Sequence, residues 1–263
     1  MPYAEVNGQR LFFQDTGGDG PPIVLSHGFL LDHEMFAPQV EDLSDVYRVI
    51  TWDQRGFGRT ESDGEPFTFW DSARDVFALL DALGIERAVL GGVSQGGYLS
   101  LRAALLHPDR VRALIPVATQ TPLDPPEKTT GYREMVDVWI AKGYRDHVGD
   151  QLAERLLGGD PSLAAGWQAK WAALDPNRLT TAVGALVARD DITDRLDELA
   201  MPVLVIHGAE DTSIPIDRAH ELCARVPDCR GVVEVAGAPH APNLTHPDAV
   251  NTALRGFLEG LPA

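Results

Sequence analysis

The sequence predicts an α/β fold: a mostly parallel, eight-stranded sheet flanked by helices, with a helical segment inserted past its middle. Three observations predict it. From residue 20 onward, short apolar runs rich in β-branched residues alternate with helical patterns, as crossover helices between parallel strands require. Ahead of them, residues 2–6 and 10–15 are strand-like and meet at Asn7-Gly8, a hairpin turn signal. Between residues 122 and about 195 the alternation stops, leaving helical patterns and Pro- and Gly-rich loops without a convincing strand.

Taken in order, the hairpin belongs at a sheet edge. Inner strands are expected at 22–26, 47–52, 87–92, 111–118, 202–207 and 231–235, each nearly continuous in apolar residues because both faces are covered. Between the second and third, Trp70, Ala73, Val76, Phe77, Leu80 and Leu83 recur near the 3.6-residue period and stop at Gly84. Pro247 opens a last helix with an inner stripe of Val250, Ala253, Leu254, Phe257 and Leu258. The expected organisation is a core of residues 1–121 and 196–263 with a helical cap at 122–195. Trp167 and Trp171, four apart, share one helix face and read as core of that cap rather than as substrate wall.

Charge narrows the partners. A net charge of −17 with only three lysines argues against a nucleic-acid or anionic membrane surface, which needs clustered cations. Residues 1–6 lack a basic segment followed by an apolar run, and no stretch approaches the roughly 20 apolar residues of a membrane span. Cytoplasmic residence is the default expectation. Cys223 and Cys229 are read as two reduced, partly buried thiols, since spacing alone does not imply a disulfide. No CxxC or HxHxDH pattern occurs, so no zinc site is expected.

Gly92-Val93-Ser94-Gln95-Gly96-Gly97 lies between an expected strand and an expected helix. That is the setting of a nucleophile elbow, where a sharp turn projects the serine and side chains two positions away would collide. Serine is also a favoured helix N-cap, so the pentapeptide by itself leaves a structural reading open. A hydroxyl needs a base, and the base needs an orienting acid. His240 is best placed, in a loop leaving the last strand. His246, beside Pro247, reads as a cap or surface group, and His33, His107, His147 and His220 as structural histidines. Asp211 follows the 202–207 strand and is the expected acid, with Glu210 as fallback. For a developing oxyanion, the candidate donors are the backbone amides of Phe29, in the His27-Gly28-Phe29 turn, and of Gln95 at a helix N-terminus.

With these residues in place, the whole chain resembles the α/β-hydrolase family, particularly small bacterial esterases, enol-lactonases and cofactor-free haloperoxidase-like perhydrolases. The resemblance runs through His27-Gly28-Phe29, the 53–60 stretch Asp-Gln-Arg-Gly-Phe-Gly-Arg-Thr, the Ser94 elbow, the Asp211 loop and His240. It implies that Asp53 and Arg55 are structural, and that the triad order is nucleophile, acid, histidine. Epoxide hydrolases and haloalkane dehalogenases are disfavoured because their elbow carries aspartate. Carbon–carbon bond hydrolases are disfavoured because His27-Gly28-Phe29-Leu30-Leu31-Asp32 lacks their glycine-rich turn.

The expected activity is hydrolysis of a carboxylic ester or lactone of a small, mainly apolar molecule through an acyl-enzyme, chemistry that needs neither a metal nor an organic cofactor. Perhydrolase chemistry on the same triad and a triad-retaining ligand receptor are the alternatives. Leu30, Leu31, Gln120, Trp139 and Ile214 are the expected substrate contacts, and Arg133 and Arg145 could receive a carboxylate. The sequence leaves the oligomeric state open.

Overall fold

The computed structural model describes residues 2–61, 63–144 and 146–262; the side chains of Asp146 and His147 also lie outside the description. In chain order the elements are β1 (Tyr3–Val6), β2 (Gln9–Asp15), β3 (Pro22–Ser26), α1 (Ala37–Leu43), β4 (Arg48–Trp52), α2 (Phe69–Ala82), β5 (Ala88–Val93), α3 (Gln95–Leu106) and β6 (Val111–Val117). They continue with α4 (Pro126–Lys142), α5 (Asp146–Leu157), α6 (Pro161–Ala173), α7 (Leu179–Val187), β7 (Val203–Gly208), α8 (Asp217–Arg225), β8 (Cys229–Val235), α9 (Pro242–Thr245) and α10 (Pro247–Glu259). Eight strands form one sheet in the order β1-β2-β4-β3-β5-β6-β7-β8. β1 and β2 are antiparallel and the remaining six run parallel. The hairpin turns at Asn7 (φ 48°) and Gly8 (φ 75°), the two positive-φ positions that a tight primed turn demands.

Because successive strand residues face opposite sides, Ile23 and Leu25 enter one apolar cluster and Val24 the other. α2 starts at a capping box in which Thr68 and Asp71 satisfy each other's backbone amides. The expected strands fall within one or two residues of those observed. β5 extends to Val93, which pairs with Val117, so Ser94 follows the sheet without an intervening loop.

The stretch between β6 and β7 contains α4 to α7 and, among the described residues, no strand. Trp167 and Trp171 are both buried there. The segment is fastened to the sheet by polar contacts. The Arg178 guanidinium donates to the carbonyls of Phe57, Gly58 and Thr60, and Lys170 pairs with Asp32; within the segment itself, buried Arg189 pairs with Asp124 at 2.8 Å.

One expectation is overturned. Cys223 and Cys229 are joined as a disulfide, not reduced. α8 packs back on β8, which brings the two Cα atoms to 5.4 Å, within bridging range. No described helix is long and apolar enough to cross a membrane.

Candidate active site

Ser94 sits at φ 54° and ψ −113°, a conformation that an L-residue adopts only when its surroundings impose it. They do. A Cβ on Gly92 would collide with the Gly96 backbone, and one on Gly96 with the Ser26 carbonyl. The Ser94 amide donates to the Val117 carbonyl at 2.8 Å, and the Thr119 hydroxyl donates to the Ser94 carbonyl at 2.8 Å. Although Ser94 precedes α3, its side chain makes no capping bond, so the N-cap reading has no contact behind it.

The turn after β3 abuts this elbow: a Cβ on Gly28 would lie 3.8 Å from Ser94 Cβ. The Gly28 amide donates to Met35 Sδ at 3.3 Å and the Leu31 amide to the Gly28 carbonyl at 3.1 Å. No hydrogen bond among the described residues engages the Phe29 or Gln95 amide, which leaves both as available donors. Leu30 takes a positive φ of 63°, and Trp171 Nε1 donates to its carbonyl at 2.8 Å. An aromatic of the inserted segment thus holds the turn.

The 53–60 stretch explains its own glycine spacing. Asp53 accepts from the His33 amide (2.8 Å) and His33 Nδ1 (2.7 Å) on one oxygen and from the Arg59 amide (2.7 Å) on the other. A Cβ on Gly58 would collide with that carboxylate. Arg55 forms a two-pronged pair with buried Asp75 at 2.6 and 2.8 Å. Gln54 then laces the motifs: its amide side chain donates to the His27 carbonyl (2.6 Å) and accepts from the Gln95 side chain (3.0 Å). Burial depresses the His27 pKa, in keeping with its Nε2 accepting from the Gln54 backbone amide. Asp32, His33 and Asp53 come close enough to share a metal ion, yet their oxygens already serve His33, Arg59 and Lys170.

At the other end of the sheet, His240 Nδ1 lies 2.7 Å from Asp211 Oδ2, both residues being buried. Asp211 Oδ1 accepts from the amides of Ser213 (2.7 Å) and Ile214 (3.0 Å). Burial by itself would raise the Asp211 pKa; attraction to His240, the side-chain bonds from His207 and His240, and the Ile214 amide outweigh it and hold the carboxyl far below the usual range. Glu210, the fallback, is exposed. His33, His220 and His246 find partners elsewhere, in Asp53, Glu234 and Thr245, and His107 packs edge-on against Phe77. The His147 side chain and Arg145 lie outside the described residues.

Ser94 and His240 open onto one cavity of about 720 Å³. Phe29, Leu30 and Leu31 line it from the sheet side, and Met135, Trp139 and Leu152 from α4 and α5. Gln120 and Ile214 are not in the lining. The Gln120 amide donates to Asp124 at 2.8 Å, and Ile214 serves the Asp211 loop through its backbone. Arg133 is exposed away from the cavity, whereas Arg155, not singled out in the sequence, lines it.

Sequence reasoning also missed His207 and a buried amide cluster. His207 Nε2 reaches the Ile214 carbonyl (2.8 Å) and Asp211 Oδ2 (3.2 Å). Asn243, just after the His240 loop, donates to the Met35 carbonyl at 2.9 Å, tying that loop to the helical turn at His33–Phe36, whose Met35 Sδ accepts from the Gly28 amide. For His207 a signal existed, an ionisable residue ending a strand four positions before the acid. Asn243 offered none.

Known proteins bear on this geometry. A family model described as alpha/beta hydrolase fold matches residues 21–247. The enol-lactonase from Burkholderia xenovorans LB400 superposes with a TM-score of 0.90 at 29% identity, covering 98% of this chain and 100% of that one. A thermophilic esterase from Thermogutta terrifontis gives 0.88 at 30% identity, covering 98% and 96%. A putative non-heme chloroperoxidase of Synechocystis sp. is 29% identical over 289 residues, covering 98% of this chain and all of that protein. With the family match spanning most of its length, this chain belongs to the α/β-hydrolase family.

Proposed function

We propose that the protein is a serine hydrolase that cleaves a carboxylic ester or lactone of a small, mainly apolar molecule. The observation that carries this is the 2.7 Å contact of Asp211 with His240, on a cavity that His240 shares with Ser94. In the reaction, Ser94 Oγ bonds to the acyl carbon while its proton passes to His240 Nε2. Asp211 holds the opposite ring nitrogen. The carbonyl electron pair moves to oxygen, facing the Phe29 and Gln95 amides, each donor of this kind being worth about 3 kcal/mol in the transition state. Collapse breaks the acyl–oxygen bond, and His240 returns the proton to the leaving alkoxide. Water, deprotonated by His240, then attacks the acyl-serine; the acid departs and Ser94 regains its proton.

Residues 122–195 act as the cap in this reading, setting which acyl group fits through Met135, Trp139 and Leu152. The likeness to a chloroperoxidase favours one further reading, interception of the acyl-enzyme by hydrogen peroxide to release a peracid. The test is a panel of aryl esters of rising acyl length beside simple lactones, with peracid formation read in parallel. Ser94→Ala is expected to lose at least about 10⁴-fold in kcat and all labelling by an active-serine phosphonate. Turnover near that of the parent protein would overturn the proposal.

A further inference from the structure

His207 occupies a position that the proposed chemistry leaves unused. It is the penultimate residue of β7 and is fully buried, and its ring faces two parts of one loop: Nε2 lies 2.8 Å from the Ile214 carbonyl and 3.2 Å from Asp211 Oδ2. A carbonyl oxygen only accepts, so Nε2 carries the hydrogen and donates it to the Ile214 carbonyl, with Asp211 Oδ2 3.2 Å from the same nitrogen. Nδ1 is buried and has no hydrogen-bond partner among the described residues. The loop closes on itself through the same residue, because the Ile214 amide donates to Asp211 Oδ1 at 3.0 Å while its carbonyl receives the His207 hydrogen. Asp211 therefore has Oδ1 saturated by two backbone amides, and Oδ2 divided between His240 at 2.7 Å and His207 at 3.2 Å.

Resting on the serine-hydrolase reading above, we propose that His207 is a positioning residue: its Nε2–H aims Asp211 Oδ2 at His240 and moderates how strongly that carboxylate holds the His240 proton. The carboxylate is one rigid plane that turns about the Cβ–Cγ bond, so the two amides on Oδ1 and the His207 ring nitrogen 3.2 Å from Oδ2 act together on the direction in which Oδ2 meets His240. His207 supplies the partner that His240 does not, and so keeps Oδ2 aimed while the His240 ring shuttles protons. Other charged groups face this loop. Lys128 of α4 reaches the Ser213 carbonyl at 2.7 Å and pairs with Asp124, exposed Glu210 adjoins Asp211, and Glu234 of β8 stands opposite His207 in register but pairs with His220. None of them contacts Asp211 Oδ2.

The sign of the effect follows. Without the His207 hydrogen, Oδ2 keeps more of its charge for His240 and favours its protonated form, so the acid limb of kcat/KM moves to higher pH. The less well aimed ring lowers kcat. The experiment compares His207→Leu, which removes the donor, with His207→Gln, whose side-chain N–H has comparable reach. Rates are divided by the fraction of sites titrated with a phosphonate. His207→Leu is expected to lower kcat about tenfold with KM within about twofold and the acid limb raised, while His207→Gln recovers most of both. If His207→Leu does not accumulate as folded protein, His207→Asn, polar but short of both acceptors, takes its place. An unchanged kcat per titrated site and an unmoved acid limb in the donor-less variant, or a glutamine variant as impaired as it, would overturn the proposal. Ser94→Ala, assayed alongside, separates the outcomes: if it retains turnover the serine reading itself fails, and if it is dead while His207→Leu matches the parent only this inference fails.

Discussion

The turn between β5 and α3 and the inserted helices both use glycine, for opposite reasons. At Gly92 and Gly96 an added Cβ would strike backbone, whereas at Gly131, which lines the cavity from α4, it would meet nothing within 4 Å. The elbow is over-determined. Backbone packs against backbone there, Ser94 is held at a positive φ, and three separate stretches meet through Gln54, whose side chain donates to the His27 carbonyl and accepts from the Gln95 side chain. The inserted segment is instead fastened at a few points, among them Trp171 on Leu30, Lys170 on Asp32 and Arg178 on the 57–60 carbonyls. One region is held in a single backbone arrangement, and the other is joined to the rest at separated points.

Substitutions at the two kinds of site should therefore diverge. Gly96→Ala carries the largest expected effect: the methyl group collides with the Ser26 carbonyl, and destabilisation of about 3 kcal/mol or more, with loss of phosphonate labelling, is expected in a denaturant titration. A parent-like midpoint would mean that the elbow is not packed as described. Trp171→Phe removes the bond to the Leu30 carbonyl across the two regions and leaves a void where the buried indole lay, at about 2 kcal/mol of stability. Its sharper readout is kcat. A loosened turn carries the Phe29 amide away from the oxyanion, so kcat should fall several-fold for short and long acyl esters alike, whereas a mere wall residue would change the two unequally. Gly131→Ala, smallest of the three, should raise stability by up to about 1 kcal/mol, since alanine is the better helix former. Rates on the shortest ester should hold while those on longer ones drop, which would place α4 on the acyl side of the cavity.

Much of this was readable because it is local. Apolar runs, the Asn7-Gly8 turn and the stripe ending at Gly84 report constraints acting between chain neighbours. The elbow was readable for the same reason, as its two glycine requirements sit within five residues. Leu30, Leu31 and Trp139 do line the cavity. Gln120 and Ile214 do not, since a residue's nearness to a strand end does not say toward which neighbour its side chain turns. The disulfide was misread because Cys223 and Cys229 meet only once α8 has packed against β8.

What the sequence determined by itself, then, is the order of strands and helices along the chain, the inserted segment's helical character and the sharp glycine-flanked turn at Ser94. All of these rest on backbone sterics and side-chain type within a few positions. The tertiary structure alone decided who partners whom: His207 with Asp211, Asn243 with Met35, Trp171 with Leu30, and the cysteines with each other. Except for the first and last, these pairs are more than a hundred residues apart. A hydrogen bond is satisfied by any acceptor within reach, and reach across the sheet is set by how the strands are ordered, which no local pattern encodes.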